Sequence, residues 1–400
     1  MNMNRPPQKP KLSAAWTDAV KIMVFLTLLS LNPGALAASK PMVGVIRWAT
    51  WKQDYPQARY LEAPQWHHRI PYFATTQGGV LQINEDQQWV MDRDIQYAAA
   101  AGVDYWVVNY RLWPREKSKD PTWQFYTPDL PSLMRNSPLR DQIKYCLFLQ
   151  DHLLGPKNDP KWDAEAEWEK SATALVALFQ ESNYLKVLGG RPLLFVLDAK
   201  KFSYFKTLAD TKAGFDRLGE KCREAGLAKP YLVAFTWLRS EKESWFDSVG
   251  YDALSGYGAP IHPQIHTRDH AKVVAEHPYA QLAEANEMFR EACRKAGRQV
   301  IPPVSDGFDC RPAQVKRFPL YDRPAEGPWY TRGTAQEFGA NVKAACQWVV
   351  DHPSSAELQS ILIYNWSEYV EGGWLCPTLD EGTARLDALK NALEGFRPRQ

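Results

Sequence analysis

Short apolar runs recur along the chain from residue 42 onward, each ending in polar or aromatic residues and each followed by a stretch with helical spacing. Met42-Val-Gly-Val-Ile46 ends in Arg47-Trp48-Ala49-Thr50-Trp51, Val103–Val108 in Asn109-Tyr110-Arg111, and Lys144–Leu149 in Gln150-Asp151-His152. Leu193–Leu197 ends in Asp198, Tyr231–Phe235 in Thr236-Trp237, and a weaker run near Ala253-Leu254 in Ser255-Gly256-Tyr257. Val300–Val304 ends in Ser305-Asp306-Gly307-Phe308-Asp309, and Ile361–Tyr364 in Asn365-Trp366. Runs of this length and boundary read as buried strands.

The intervening stretches read as helices over Gln88–Ala101, Leu130–Asn136, Asp163–Leu185, Phe205–Ala225, a short one around Ser244, Tyr279–Ala296, Thr334–His352 and Thr383–Phe396. In the seventh, Phe338, Val342, Ala345, Trp348 and Val349 form one apolar stripe, the spacing of a helix packed on one side. Strands that alternate with helices imply a parallel sheet. Eight such units predict an α/β fold, a (β/α)8 TIM barrel with long βα-loop insertions, including 54–88. In such a barrel the site is built where the strands end, so the polar endings converge on one cleft.

Composition changes this picture in three places. A chain of 400 residues would suit two or three average domains, but a barrel with insertions also reaches this length, so 38–400 reads as one domain. Sixteen Trp exceed what core packing calls for and suit a cleft for flat ligands such as sugars. A net charge of +2 without a basic run gives no case for a nucleic acid partner.

The N-terminus reads as a signal peptide over 1–37. Arg5, Lys9, Lys11 and Lys21 precede an apolar core, Ile22–Leu31, and Ala35-Leu36-Ala37 is a small-x-small cleavage site. The core is too short to span a membrane comfortably, and Pro33-Gly34 breaks it. A periplasmic or secreted protein is expected, with no membrane span after cleavage. Export permits disulfides among the six Cys. Cys146 and Cys346 read as core residues, and Cys310 with Cys376 as a candidate bridge.

The stretch Tyr364–Pro377 carries the chemistry. Glu368 and Glu371 lie three residues apart among Trp366, Tyr369 and Trp374. Glycosidic cleavage needs an acid and a base, and flat rings suit sugar faces. A solvated acidic turn is the alternative, but the eighth βα loop of a barrel favours chemistry. One carboxyl must stay protonated at neutral pH, which burial and a neighbouring like charge would produce. Arg47, Trp48, Trp51, Asn109, Tyr110, Arg111, Trp237, Asp309, Asn365, Trp366 and Trp374 are candidate substrate contacts; Trp66, Trp113 and Asp198 are supporting ones. Packing, ion pairs and caps are the alternative for each.

No metal or cofactor is expected. His262, His266 and His270 are spaced by four, but Pro263 argues against a helix there. Asp92 and Asp94 read as caps at a helix start. No nucleophile elbow, phosphate-cradling loop or dinucleotide fingerprint occurs.

The segment Trp366-Ser-Glu368-Tyr-Val-Glu371-Gly372-Gly-Trp374-Leu-Cys-Pro377 resembles the W-N-E-W-x-E-G-x-x-x-E-P signature of the glycoside hydrolase family 99-like proteins, among them the WbsX-type proteins of polysaccharide loci. Val43-Gly44, Met91-Asp92-Arg93, Ala101–Trp106, Gly190-Arg191-Pro192 and Gly307-Phe308-Asp309 agree in order. Ser367, Tyr369 and Cys376 stand where the signature has Asn, Trp and Glu, and Gln150-Asp151-His152 replaces an Asn-Glu-Asn-Trp segment.

The resemblance implies a barrel acting on glycans by endo-cleavage of α-mannosides with retention. Glu368 would deprotonate the substrate's own 2-hydroxyl to give a 1,2-anhydro sugar. Glu371 would protonate the leaving oxygen and then activate water. The expected function is an exported glycoside hydrolase acting on a mannoside or bacterial polysaccharide. A glycosyltransferase or transglycosidase and a non-catalytic glycan-binding barrel are the alternatives.

Overall fold

A computed structural model of the chain describes residues 39–48, 51–52, 55–111, 130–150, 163–197, 205, 207–236, 244–258, 276–314 and 329–396. Its strands are β1 (Met42–Arg47), β2 (Tyr105–Arg111), β3 (Lys144–Gln150), β4 (Arg191–Leu197), β5 (Tyr231–Phe235), β6 (Ala253–Ser255), β7 (Pro303–Ser305) and β8 (Ser360–Tyr364). The helices between them are α1 (Gln88–Ala100), α2 (Leu130–Asn136), α3 (Ala164–Phe179), α4 (Leu208–Glu224), α5 (Trp245–Val249), α6 (Tyr279–Lys295) and α7 (Ala335–Asp351), with α8 (Ala384–Leu393) after β8.

The strands lie in the order β7-β8-β1-β2-β3-β4-β5-β6, each parallel to its neighbour. The β6–β7 seam is drawn together just before β7. Leu254 N donates to Gln299 O at 3.0 Å, Ile301 N donates to Leu254 O at 2.9 Å, and Ser255 Oγ donates to Ile301 O at 2.9 Å. This is the expected (β/α)8 barrel.

Three boundaries differ from the sequence reading, each for a local reason. The β2 ladder continues past Val108, because Asn109, Tyr110 and Arg111 pair with Phe148, Leu149 and Gln150; polar side chains do not stop a backbone ladder. Regular β7 begins only at Pro303, since Pro302 and Pro303 bring no N–H to it. Helix α3 stops at Phe179, short of Leu185, whose N–H instead donates to Tyr145 O at 2.7 Å.

Helices α4 and α7 start at reciprocal caps, Thr207 with Asp210 and Thr334 with Glu337. Towards the strand ends the core is aromatic. Trp48 lies 5.2 Å from Phe148, Phe235 5.6 Å from Tyr257, and Tyr257 5.1 Å from Tyr364, centroid to centroid. This cluster, drawn from β1, β3, β5, the β6 loop and β8, leads up to the cleft.

Cys146 and Cys346 are buried as expected, but the candidate bridge is not formed: Cys310 and Cys376 are free thiols. The signal-peptide residues and His262, His266 and His270 lie outside the described residues. Among the described residues no helix is long and apolar enough to cross a membrane.

Candidate active site at the end of the eighth strand

The backbone after β8 turns at once. The Tyr364–Asn365 peptide is cis, and Ser367–Glu368 pairs antiparallel with Gly373–Trp374. Glu371 sits in the turn of this small hairpin, its N–H donating to Glu368 O at 3.2 Å. Glu368 is buried and Glu371 partly exposed, and the Tyr364 hydroxyl donates to Glu371 Oε2.

Two glycines let the loops after β7 and β8 meet backbone to backbone. A Cβ on Gly307 would lie 2.3 Å from Gly372 O, and one on Gly372, at φ +84°, 2.4 Å from Asp309 N. The contact between them is Asp309 N donating to Glu371 O at 2.7 Å. Gly372→Ala combines a left-handed conformation with overpacking. A loss of about 2–4 kcal/mol in stability is expected, read as a lower denaturation midpoint.

Electrostatics separate the pair from ordinary surface acids. Burial, then the negative charges of Glu371 and Glu85, hold the Glu368 carboxyl well above the usual carboxylate range. Burial raises Glu371 as well, while the Tyr364 hydroxyl pulls it back. Both carboxyls thus hold their protons more tightly than exposed acids do. Burial and the same acids push the hydroxyls of Tyr257 and Tyr364 far up, so both remain donors.

Beneath the hairpin lies a buried ionic network. Arg47, from the end of β1, donates through Nη2 to Asp94 Oδ2 at 2.7 Å, stands 3.7 Å from Glu85, and covers the Trp106 ring at 4.3 Å. Burial opposes the Arg47 charge, but Asp94 and Glu85 more than offset it and its pKa is raised. Asp94 also accepts from Trp366 Nε1 and from the Tyr72 hydroxyl, both at 3.1 Å. Trp51 N donates to Glu85 Oε1 at 3.1 Å and Trp51 Nε1 to Ser367 O at 2.7 Å.

Asp94 is therefore not a helix cap. It belongs to the buried stripe of α1 with Val90, Met91, Ile95 and Ala98, and Asp92 accepts from Gln88 instead. Asp94→Asn leaves Arg47 without its closest counter-charge and is expected to cost about 3–5 kcal/mol, measured by chemical denaturation.

The candidates fall into separate groups. Glu368 and Glu371 come together, with Trp48 in the aromatic cluster below them. Arg47, Trp51 and Trp366 are wholly buried under the hairpin, where they support it instead of offering a face to a ligand. Trp374 is buried with the Arg332 guanidinium 3.3 Å over its ring. Asp309 binds Arg69 at 2.5 Å and Arg311 at 2.8 Å.

Asn365 Oδ1 accepts from Ser367 N at 3.1 Å, and its Nδ2 is buried with no partner among the described residues. Asn109 Nδ2 reaches Gln150 at 3.3 Å, and Tyr110 is partly exposed. Trp113, Asp198, Trp237 and the side chain of Arg111 lie outside the described residues.

Glu85, Arg69, Tyr72 and Tyr257 were not legible as site residues. Only Asp94 carried a local signal, an acid on the apolar stripe of a helix.

Fold and site together define a (β/α)8 barrel with a carboxylate pair in the loop after its eighth strand. The chain belongs to the WbsX family: the model described as "Glycosyltransferase WbsX" matches residues 159–389, more than half of the chain and including both carboxylates. Among solved structures, a protein titled "Glycoside hydrolase-like protein" superimposes with a TM-score of 0.58 at 14% identity, over 89% of this chain and 95% of that one. The GH99 endo-alpha-mannosidase from Bacteroides thetaiotaomicron follows at 0.51 and 13%, over 90% and 97%. These likenesses establish a shared fold. A search of curated proteins finds no match.

Proposed function

We propose that this protein is a glycoside hydrolase that cuts within glycan chains with retention of configuration, Glu368 and Glu371 carrying the reaction. The observation that carries this reading is the pair itself: two carboxyls in the β8 loop, held by one hairpin, both with raised pKa values. Such a pair supplies a base and an acid at one pH.

Glu368 takes the proton from the sugar's 2-hydroxyl as that oxygen closes on C1. Glu371 simultaneously gives its proton to the departing glycosidic oxygen, leaving a 1,2-anhydro sugar. Water then enters at C1 and gives a proton to Glu371, the C1–O2 bond breaks, and O2 recovers its proton from Glu368. Two inversions at C1 amount to retention. The Tyr364 hydroxyl occupies Glu371 Oε2, which leaves Oε1 for the leaving oxygen.

The departures from the signature fall outside this chemistry. Ser367, Tyr369 and Cys376 are buried. Tyr369 and Cys376 interact with each other, and Cys376 Sγ stands 3.8 Å from Asp94. They alter the support beneath the hairpin and leave both carboxylates in place. The endo-alpha-mannosidase title of a structural neighbour makes mannosides the first substrates to try.

The family description favours a second reading, sugar transfer from a nucleotide donor. The signal-like N-terminus speaks against it, because such donors are cytoplasmic. Export predicts that the full-length protein accumulates in the periplasm or medium shortened by about 37 residues, as intact-mass measurement would show. To separate the two activities, the mature protein is incubated with mannans and bacterial polysaccharides, and separately with sugar nucleotides and acceptors. New reducing ends without nucleotide release are expected; nucleotide release without new reducing ends would overturn the hydrolase reading.

A further inference from the structure

The side chains that grip the hairpin from the β7-loop side carry more positive than negative charge. Arg69, Arg311, Arg332 and Arg385 are ion-paired to Asp309, Asp306 and Glu381. Among the described residues, four guanidiniums thus share three carboxylates in ion pairs.

The surplus is felt locally. Burial, then Arg69 and Arg332, lower the His68 pKa. Burial pulls Arg332 down to about 9, with Arg385 and Arg69 adding to it against Asp306 and Glu381. Positive charge in excess among the described residues here would attract an anion.

The groups are also placed to hold a sugar. The Arg311 guanidinium lies 3.1 Å from the Trp329 ring centroid and 5.2 Å from that of Trp66, and its side chain is 35% exposed. Trp66, His68 and Trp329 are partly exposed. Arg69 Nε and Trp374 Nε1 are buried without hydrogen-bond partners among the described residues. The cluster adjoins the catalytic pair through the contact from Asp309 N to Glu371 O at 2.7 Å. Cys310 marks the junction, feeling the charges of Glu371, Asp309, Glu368 and Arg69.

We propose that Arg311, His68 and Trp66, backed by Arg69 and Arg332, form a subsite for an acidic sugar residue bearing a carboxylate or phosphate group. This names the substrate class of the proposed hydrolase and rests on that reading. The acid belongs to a sugar adjacent to the one cleaved, because Glu368 must be ionised to act as the base and would repel an anion at the point of cleavage. Guanidinium forks suit carboxylate and phosphate oxygens, and indole faces suit the apolar side of a pyranose.

The test uses binding without turnover, read by calorimetry on the full mature Glu371→Gln protein. Two matched pairs are compared: an oligomannoside with a 6-phosphate against its dephosphorylated form, and an oligogalacturonide against its methyl ester. At least tenfold tighter binding of an acidic member, weakening with added salt, is expected, and the pair that shows it distinguishes phosphate from carboxylate. Adding Arg311→Gln should abolish the preference. Equal binding within both pairs, or a preference that survives loss of Arg311, would overturn the subsite. Because no turnover is involved, failure of the hydrolase reading would show separately, as absent cleavage by the unaltered protein.

Discussion

Glu371→Gln is expected to lower turnover of an unactivated glycan by roughly 10²–10⁴-fold, the range attributable to a positioned general acid. Glycan binding should persist and the fold should be kept, with the melting temperature at neutral pH unchanged or raised, since burial raises the Glu371 carboxyl too. The substituted amide keeps an oxygen that can accept from the Tyr364 hydroxyl, so the contact that orients the side chain survives. What is lost is a proton that can be given up. A glycosyl fluoride needs no protonation to leave, so the defect in forming the anhydro sugar should be far smaller with fluoride than with a glycoside whose leaving group is a sugar hydroxyl. An equal loss on both substrates would contradict an acid role for Glu371.

Glu368→Gln should have two effects of opposite sign. Turnover should fall by a similar roughly 10²–10⁴-fold, including on the fluoride, because the base that activates the 2-hydroxyl is gone. Stability should rise. Burial and two neighbouring acids raise the Glu368 pKa in the folded protein, so between the ordinary carboxylate value of about 4.3 and the raised value the folded state binds more protons than the unfolded chain. Stability therefore falls as pH rises through that window. The Gln variant escapes this loss, so its melting temperature should match the unaltered protein near pH 4 and exceed it at pH 8. A thermal-shift series across this range checks the sign.

The barrel was legible because its strands are buried on both faces and read as unbroken apolar runs, as in Tyr231–Phe235, which is wholly buried. Ends were less legible, since the β2 ladder runs through Asn109 and Tyr110 regardless of their polarity. The carboxylate pair was legible because hairpin and motif are local. The support beneath it was not: Asp94 meets Trp366 across 272 residues and Cys376 across 282, and no spacing rule reaches that far.

The indoles show the same limit from the other direction. A Trp at a strand end can offer a sugar platform or pack with its N–H satisfied. Sequence treats the two alike, while the structure gives Trp51 and Trp366 partners at Ser367 O and Asp94. Arg69 lies in a loop rich in His and Pro with no motif. Its importance comes from reaching both Asp309 O and Tyr369 O at 3.0 Å, which only the folded chain brings within range.

The central claim is that the Glu368–Glu371 pair breaks glycosidic bonds. Its most direct test follows reducing-end release from a panel of mannans, N-glycans and bacterial polysaccharides, with the unaltered protein and Glu371→Gln side by side. The account predicts internal cleavage of at least one glycan by the unaltered protein, and its near-disappearance in a variant that still folds and binds. Undiminished release by Glu371→Gln, or saturable binding of a glycan that the unaltered protein never cleaves, would contradict it.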